Sequence, residues 1–302
     1  MADSNSIINL GDWSKPANTL VEKISDAIGG IARPWQIKRV AEAEAQATKI
    51  QAVAQIEITA QERRAMRRML MEEAKKQNNI EGIIAKALPD VGEQAKPEQV
   101  EDDWITNFFD KCRLISDEDM QKLWAKVLAG EANSSGKFSK RTVDLLASLD
   151  KSDALLLMKL CSLAVRVLER EGELFPLIYS LSNPIYAELG INFATLAHLQ
   201  SINLIHFDIN SDRGYQLDVR FSDNKGVLYY FDQKLFLEFP PSAKSLLHAG
   251  KVFLTKSGQE LASICSPQPA AGFVGYVREV WRSFGYKTDP AEEFPTAYFT
   301  VG

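Results

Sequence analysis

The sequence predicts a mainly α-helical protein with a C-terminal α+β part, arranged as a long N-terminal helix, a helical bundle and a mixed closing module. Three features carry that prediction. From Gln36 to about Asn79 the chain has no Pro or Gly and is rich in Ala, Glu, Gln, Lys and Arg, all good helix formers. From Pro97 to about Arg170, helix-start residues alternate with apolar residues at helical spacing. Beyond Pro176, aromatic and β-branched runs are separated by turn residues.

The 302 residues are 45% hydrophobic and 25% charged, the composition of an ordinary folded protein with material for about two domains. A net charge of −5 argues against a protein that coats nucleic acid through its overall charge. Cys112, Cys161 and Cys265 are far apart and odd in number, which is neither a disulfide framework nor a zinc pattern, so a reducing cytoplasm is expected. The start, with Asp3 and Asp12, lacks the basic flank and apolar core of a secretory signal, and no window is apolar enough to predict a membrane span. The predicted organisation is an amphipathic segment at 1–35, a long Ala-rich helix at 36–90, a bundle at 97–175 and a mixed module at 176–302.

The first element is short and amphipathic. Leu20, Ile24, Ala27, Ile28 and Ile31 recur at helical spacing, Glu22, Lys23, Ser25 and Asp26 take the other side, and Gly29, Gly30 and Pro34 stop the helix. Trp13 and Trp35 flank it. The face of Leu20, Ile24, Ile28 and Ile31 is open to packing within the chain, to a partner, or to peripheral contact with the inner membrane, although Glu22 and Asp26 would be repelled by anionic lipid.

The long helix needs company. Val40, Ala43, Ala47, Ile50 and Ala54 step by threes and fours as a coiled-coil seam would, and the seam drifts at Glu57 and Ile58. Close helix packing or assembly into a homo-oligomer is expected. Between Gln36 and Asn79 the helix is net basic, with nine Lys and Arg against six Asp and Glu. Arg63, Arg64, Arg67 and Arg68 cluster near its end and are open to two readings: a solvated face offset by Glu62, Glu72 and Glu73, or a contact for an anion or partner. Arg63 shares a face with Arg67 and Arg64 with Arg68, so the cluster points to more than one side. Two prolines and Gly92 between Leu88 and Pro97 predict a module boundary.

In the bundle, Val100, Trp104, Ile105, Phe108, Phe109 and Cys112 form a wide apolar stripe behind the acids Glu98, Glu101, Asp102 and Asp103, which suit a helix start without any metal. Ser116 is the predicted cap of a helix that buries Met120, Leu123, Trp124, Val127 and Leu128 and ends at Gly130. Ser139 caps the next, and Ser152 with Asp153 opens a helix to about Arg170. Trp104 and Trp124 belong to apolar stripes and read as core anchors.

Beyond Pro176, Asn183-Pro184 opens a short helix ended by Gly190, and Asn192 caps another to about Leu199. Strands are predicted at Leu204 to Ile209, Tyr215 to Phe221, Val227 to Phe239 and Lys251 to Thr255, with a turn at Asp223 to Gly226. Helical patterns return at Lys256 to Cys265 and Phe273 to Phe284. The run from Phe193 to Ile205 resembles a winged-helix recognition helix entering its strand, and Leu254 to Leu261 resembles the strand-to-helix closure of such modules. The candidate recognition helix has no Lys or Arg, so nucleic-acid binding is not favoured over a peptide-binding or structural role.

The run AKPEQVEDDWITNFFDKCRLISDEDMQKLWAKVLAGEANSSGKFSKRTVDLLASLDKSDA resembles the bacterial family known as domain of unknown function 2806, as do the Leu20 to Trp35 segment, the Ala-rich helix and the tail from Leu254 to Tyr286. Its helical part is similar to abortive-infection alpha proteins, a group associated with phage resistance. The resemblance implies a bacterial, defence-linked protein and carries over no catalytic residue. His198, His206 and His248 have no ligand spacing, and phosphate-binding loops, dinucleotide fingerprints and nucleophile elbows are missing, so no enzyme activity, cofactor or metal is expected. The expected function is a non-enzymatic antiviral defence protein that self-associates and recognises an unidentified protein partner. A winged-helix DNA-binding regulator and a membrane-associated abortive-infection effector are the alternatives.

Overall fold

The structure is a computed structural model that describes residues 13–28, 59–167, 173–208, 214–222, 225–240 and 246–288. It is a mixed fold, helical at first and carrying its strands in the C-terminal part. The chain divides into two compact units, residues 1–148 and 149–302.

In the first unit, α1 (Lys15–Ala27) starts at Ser14, whose Oγ accepts the Ala17 N–H at 3.3 Å, with Pro16 in the first turn. Its stripe of Ala17, Leu20, Val21 and Ile24 is buried against the 3-10 turn Pro97–Gln99 and the helix that follows it. Lys23 fixes the contact, donating to the Glu98 carbonyl at 3.2 Å and pairing with Asp102 at 3.0 Å.

Helix α2 (Ala60–Ala87) opens with a capping box: Thr59 Oγ1 accepts the Glu62 N–H and the Glu62 carboxylate accepts the Thr59 N–H at 2.8 Å. The predicted seam from Val40 to Ala54, together with Trp35, lies outside the described residues. Within its described part the helix runs on through Gly82, which serves an approach between helices. A Cβ there would lie 3.0 Å from Gln121 Oε1. The segment read as a module boundary is instead pinned inside one unit. The Asn133 side chain accepts the Gly92 N–H at 2.8 Å and donates to the Asp90 carbonyl at 2.9 Å, and the Lys96 N–H reaches the Ala132 carbonyl.

Helices α3 (Asp102–Cys112), α4 (Glu118–Asn133) and α5 (Lys140–Ser148) complete this unit. Asp117, one residue after the predicted Ser116, caps α4 through the N–H groups of Asp119 and Met120. Gly130 does not end α4; it leaves room for the Phe138 ring, whose Cε2 would lie 2.6 Å from a Cβ there. The stop comes from Glu131, a buried carboxylate that accepts the N–H groups of Gly136 at 2.6 Å and Phe138 at 2.8 Å. Trp104, Phe109 and Trp124 surround Phe108 at ring-centroid distances of 5.1 Å.

The second unit opens with α6 (Lys151–Cys161), capped by Asp150 and Asp153. The predicted continuation to about Arg170 is overturned: after Ser162 and Leu163 the chain becomes β1 (Ala164–Val167), where buried Val165 and Val167 alternate with exposed Arg166. There follow β2 (Leu174–Pro176), α7 (Pro184–Glu188), α8 (Phe193–Ser201), β3 (Ile205–Phe207), β4 (Tyr215–Asp218), β5 (Arg220–Ser222), β6 (Lys225–Tyr230), β7 (Gln233–Glu238), β8 (Leu246–Gly250), β9 (Val252–Leu254), α9 (Lys256–Ala262) and α10 (Phe273–Ser283).

Two predicted strands are each divided. Tyr215 to Phe221 becomes β4, which pairs with β8, and β5, which pairs with β6. Val227 to Phe239 becomes the hairpin of β6 and β7, turned at Phe231 with φ +52°. In the largest sheet β6 is central, with β7 along one edge and β1 and β5 sharing the other, and β2 pairs with β1. Strand β3 pairs with β9 in antiparallel register, Ile205 opposite Leu254. Gly258 opens the close approach beside this pair, since a Cβ there would run into the Leu204 carbonyl. Trp281 donates to the Tyr179 hydroxyl at 2.7 Å and Tyr179 to the His248 carbonyl at 2.9 Å, which pairs these two buried polar side chains.

Candidate functional site

Along α2 one line of side chains steps by three and four: Met66, Met69, Glu73, Lys76, Ile80, Ile83 and Ala87. From Ile80 onward it is buried, and α2 packs on α4. Earlier on the same line Met66 is 42% and Met69 65% exposed, with Leu70 beside them at 44%. One helix thus presents the same apolar stripe twice, covered in its second half and uncovered in its first. Residue types alone did not single out these methionines, although the unbroken spacing from Met66 to Ala87 was the signal that links them to the core.

The opposite side carries charge. Arg64, Arg67, Arg68 and Lys75 line one shallow surface groove with Met71 and Glu72, while Arg63 stands off it. Steps of three and four from Arg64 through Arg67, Arg68, Met71 and Lys75 gather these side chains on one face, and Arg63 lies on another. Of the acids expected to offset the cluster, Glu72 lies 3.6 Å from Arg68, Glu73 pairs with Lys76 at 2.6 Å, and Glu62 is engaged by Thr59. The Thr59 N–H and hydroxyl hold the Glu62 carboxyl below the usual carboxylate range, and Lys76 does the same for Glu73. The groove is open and one-sided, suited to an extended anionic surface and not to an enclosed small substrate.

The amphipathic face of α1 is used differently. Leu20 and Ile24 have no exposed surface, so they are not available to a membrane or a second chain. Ile28 is half-buried and Ile31 lies outside the described residues. No described helix is long and apolar enough to cross a membrane.

In the second unit, His198 Nε2 meets the Asp153 carboxylate at 2.7 Å, and the other Asp153 oxygen accepts the Asp150 N–H at 3.0 Å. The pair ties the start of α6 to α8. Ser201 donates to the His198 carbonyl. Phe193, 54% exposed, packs its ring 5.8 Å from Phe207 at the open end of α8. Among the described residues no group of three or more His, Cys, Asp and Glu is placed to hold a metal ion.

No curated protein and no solved structure matches the chain. The family model described as protein of unknown function (DUF2806) matches residues 63–278, from within the arginine cluster to the middle of α10. That match spans most of the chain and takes in segments of both units, and the chain therefore belongs to the DUF2806 family.

Proposed function

We propose that this is a non-enzymatic protein of bacterial antiviral defence, cytoplasmic in location, that self-associates through its N-terminal helices and recognises a protein partner. The observation that carries the self-association reading is the uncovered first half of the α2 stripe, Met66, Met69 and Leu70, on a helix whose second half is fully packed. Contiguous exposed apolar side chains rimmed by charge are the usual mark of an interaction surface. In an antiparallel pair of copies, the arginine-rich turns of one helix lie beside Glu72 and Glu73 of the other, which offsets the like-charge repulsion of a parallel pair. The groove of Arg64, Arg67, Arg68 and Lys75 on the far side is then left for an acidic partner surface. The defence role is supported by the resemblance of the helical segment to abortive-infection alpha proteins.

The reading of the second unit as a winged-helix-like module is supported by the order α8, β3, β9, α9, by the β3 and β9 pairing, and by Thr255. That residue caps α9 and donates to the Asn203 carbonyl at 2.8 Å. With no Lys or Arg on α8, a peptide-binding or structural role is favoured over nucleic-acid binding.

The test is sedimentation or light scattering of the full chain across concentrations, beside a Met69→Glu, Leu70→Glu variant. The intact chain is expected to grow with concentration and the variant to stay monomeric with unchanged helix content. A monodisperse monomer at every concentration for the intact chain overturns the assembly claim. Unchanged phage sensitivity after deleting the gene from its host overturns the defence claim.

A further inference from the structure

Cys161 and Cys265 are far apart in sequence, and the fold brings them together. Helix α6 ends at Cys161, which is 2% exposed. After α9 the chain turns so that the Cys265 N–H donates to the Ala262 carbonyl at 3.1 Å and Cys265 Sγ lies 3.5 Å from the Leu261 carbonyl. Helices α6 and α9 pack against each other. Tyr230 holds the two ends in place: its hydroxyl donates to the carbonyl of Ser162, the residue after Cys161, at 2.8 Å and accepts the Ala270 N–H at 2.7 Å. Under that clamp the end of α6 and the turn after α9 make the two thiols neighbours, Cys161 buried and Cys265 half-buried. Cys112, the third thiol, is buried in the other unit.

We propose that Cys161 and Cys265 are a redox modification site, at which a peroxide oxidises the more accessible Cys265 and Cys161 then closes a disulfide. In the first step Cys265 Sγ attacks a peroxide oxygen and the O–O bond breaks. Cys265 becomes a sulfenic acid, and its thiol proton leaves with the departing oxygen as water. In the second step Cys161 Sγ attacks the Cys265 sulfur, the S–S bond forms and the S–O bond breaks. The Cys161 proton leaves with the hydroxyl as a second water. Two thiols lose two electrons and one hydrogen peroxide becomes two waters.

The order of steps follows from the surroundings. Contact with Cys265 and burial push the Cys161 thiol well above its ordinary range, which suppresses attack on a dissolved oxidant. The two sulfurs are neighbours within one fold, so the second step is intramolecular and needs little thiolate. The bond would tie the end of α6 to the turn after α9 and close a loop through most of the second unit, which restricts its unfolded state.

The experiment uses the full reduced chain treated with hydrogen peroxide, then alkylated in denaturant and digested without reductant for mass spectrometry. The expected product joins the Cys161 and Cys265 peptides, with Cys112 recovered alkylated, and the oxidised chain melts at a higher temperature until dithiothreitol reverses the shift. In Cys161→Ala, dimedone is expected to trap the sulfenic acid on Cys265. Should that variant fail to fold, the peptide map of the unaltered chain still decides. Recovery of both Cys161 and Cys265 as alkylated thiols, or a disulfide that joins separate chains, overturns the proposal.

Discussion

The two halves of α2 share one backbone and have opposite surroundings. Met66, Met69, Leu70 and Met71 are 42% to 68% exposed, whereas Ile80 is 7% exposed and Ile83, Ile84 and Ala87 not at all. The second half is held by burial against α4, which is where helices in proteins draw most of their stability. The first half is held by local means: helix-favouring residues, the Thr59 and Glu62 capping box, and the Glu73 and Lys76 pair. A helix divided in this way has a fixed root and a free contact surface. The surface can meet another chain without disturbing the core, because nothing in the core depends on it.

The largest effect that would break this comparison is on stability. Ile84→Ala is expected to destabilise the first unit by about 2–5 kcal/mol through lost burial and a residual cavity. Met69→Ala, at dilution where the chain is monomeric, should stay within about 0.5 kcal/mol of the unaltered chain. Urea unfolding followed by circular dichroism measures both. A loss at Met69 as large as that at Ile84 would mean that the first half is covered in solution.

A smaller effect is expected at the root. In an exposed helix Gly→Ala is favourable by up to about 1 kcal/mol, but the Gly82 position faces Gln121. That side chain cannot easily yield, because it donates to the Ile115 carbonyl at 2.9 Å and accepts from Lys86 Nζ at 2.9 Å. Gly82→Ala should therefore cost about 1 kcal/mol, the low end of the overpacking range. In a Gln121→Ala background the same substitution should become neutral or favourable. If Gly82→Ala stabilises the otherwise unaltered chain, the two helices are less tightly apposed than described.

Elements whose signals are local were legible in the sequence. Asn183 and Asn192 cap their helices, Thr255 is followed by α9, and the stripes of α3 and α10 are buried where periodicity places them. What was not legible depends on a partner elsewhere in the chain. Gly130 looks like a helix stop but makes room for Phe138, and Gly82 likewise makes room for Gln121 from another element. Residues 164–167 continue a helical apolar pattern and become a strand because β6 and β2 lie on either side of them. The candidate surface divides in the same way. The arginines were visible as a cluster, but the exposure of Met66 and Met69 depends on where α4 ends its cover, and the contact of Cys161 with Cys265 depends on how α9 meets α6.

The smallest effect separates the halves by pH. Glu62 and Glu73 both have carboxyls held below the ordinary glutamate value of 4.5, the first by Thr59 and the second by Lys76. A group whose value is lower in the folded chain binds fewer protons there than in the unfolded chain. Its contribution is therefore present above 4.5 and is lost as the pH falls through the folded value. Acid should then loosen the first turn of α2 while Ile80, Ile83, Ile84 and Ala87, buried and apolar, stay as they are. Backbone chemical shifts of residues 59–63 should move toward coil values on acidification, in a titration that Glu62→Gln abolishes. An equal change at Ile83 and Ile84, or the same titration in Glu62→Gln, would mean that the exposed half is not held by its local carboxylates. The contrast between a root fixed by burial and an arm fixed by its own turns would then fail.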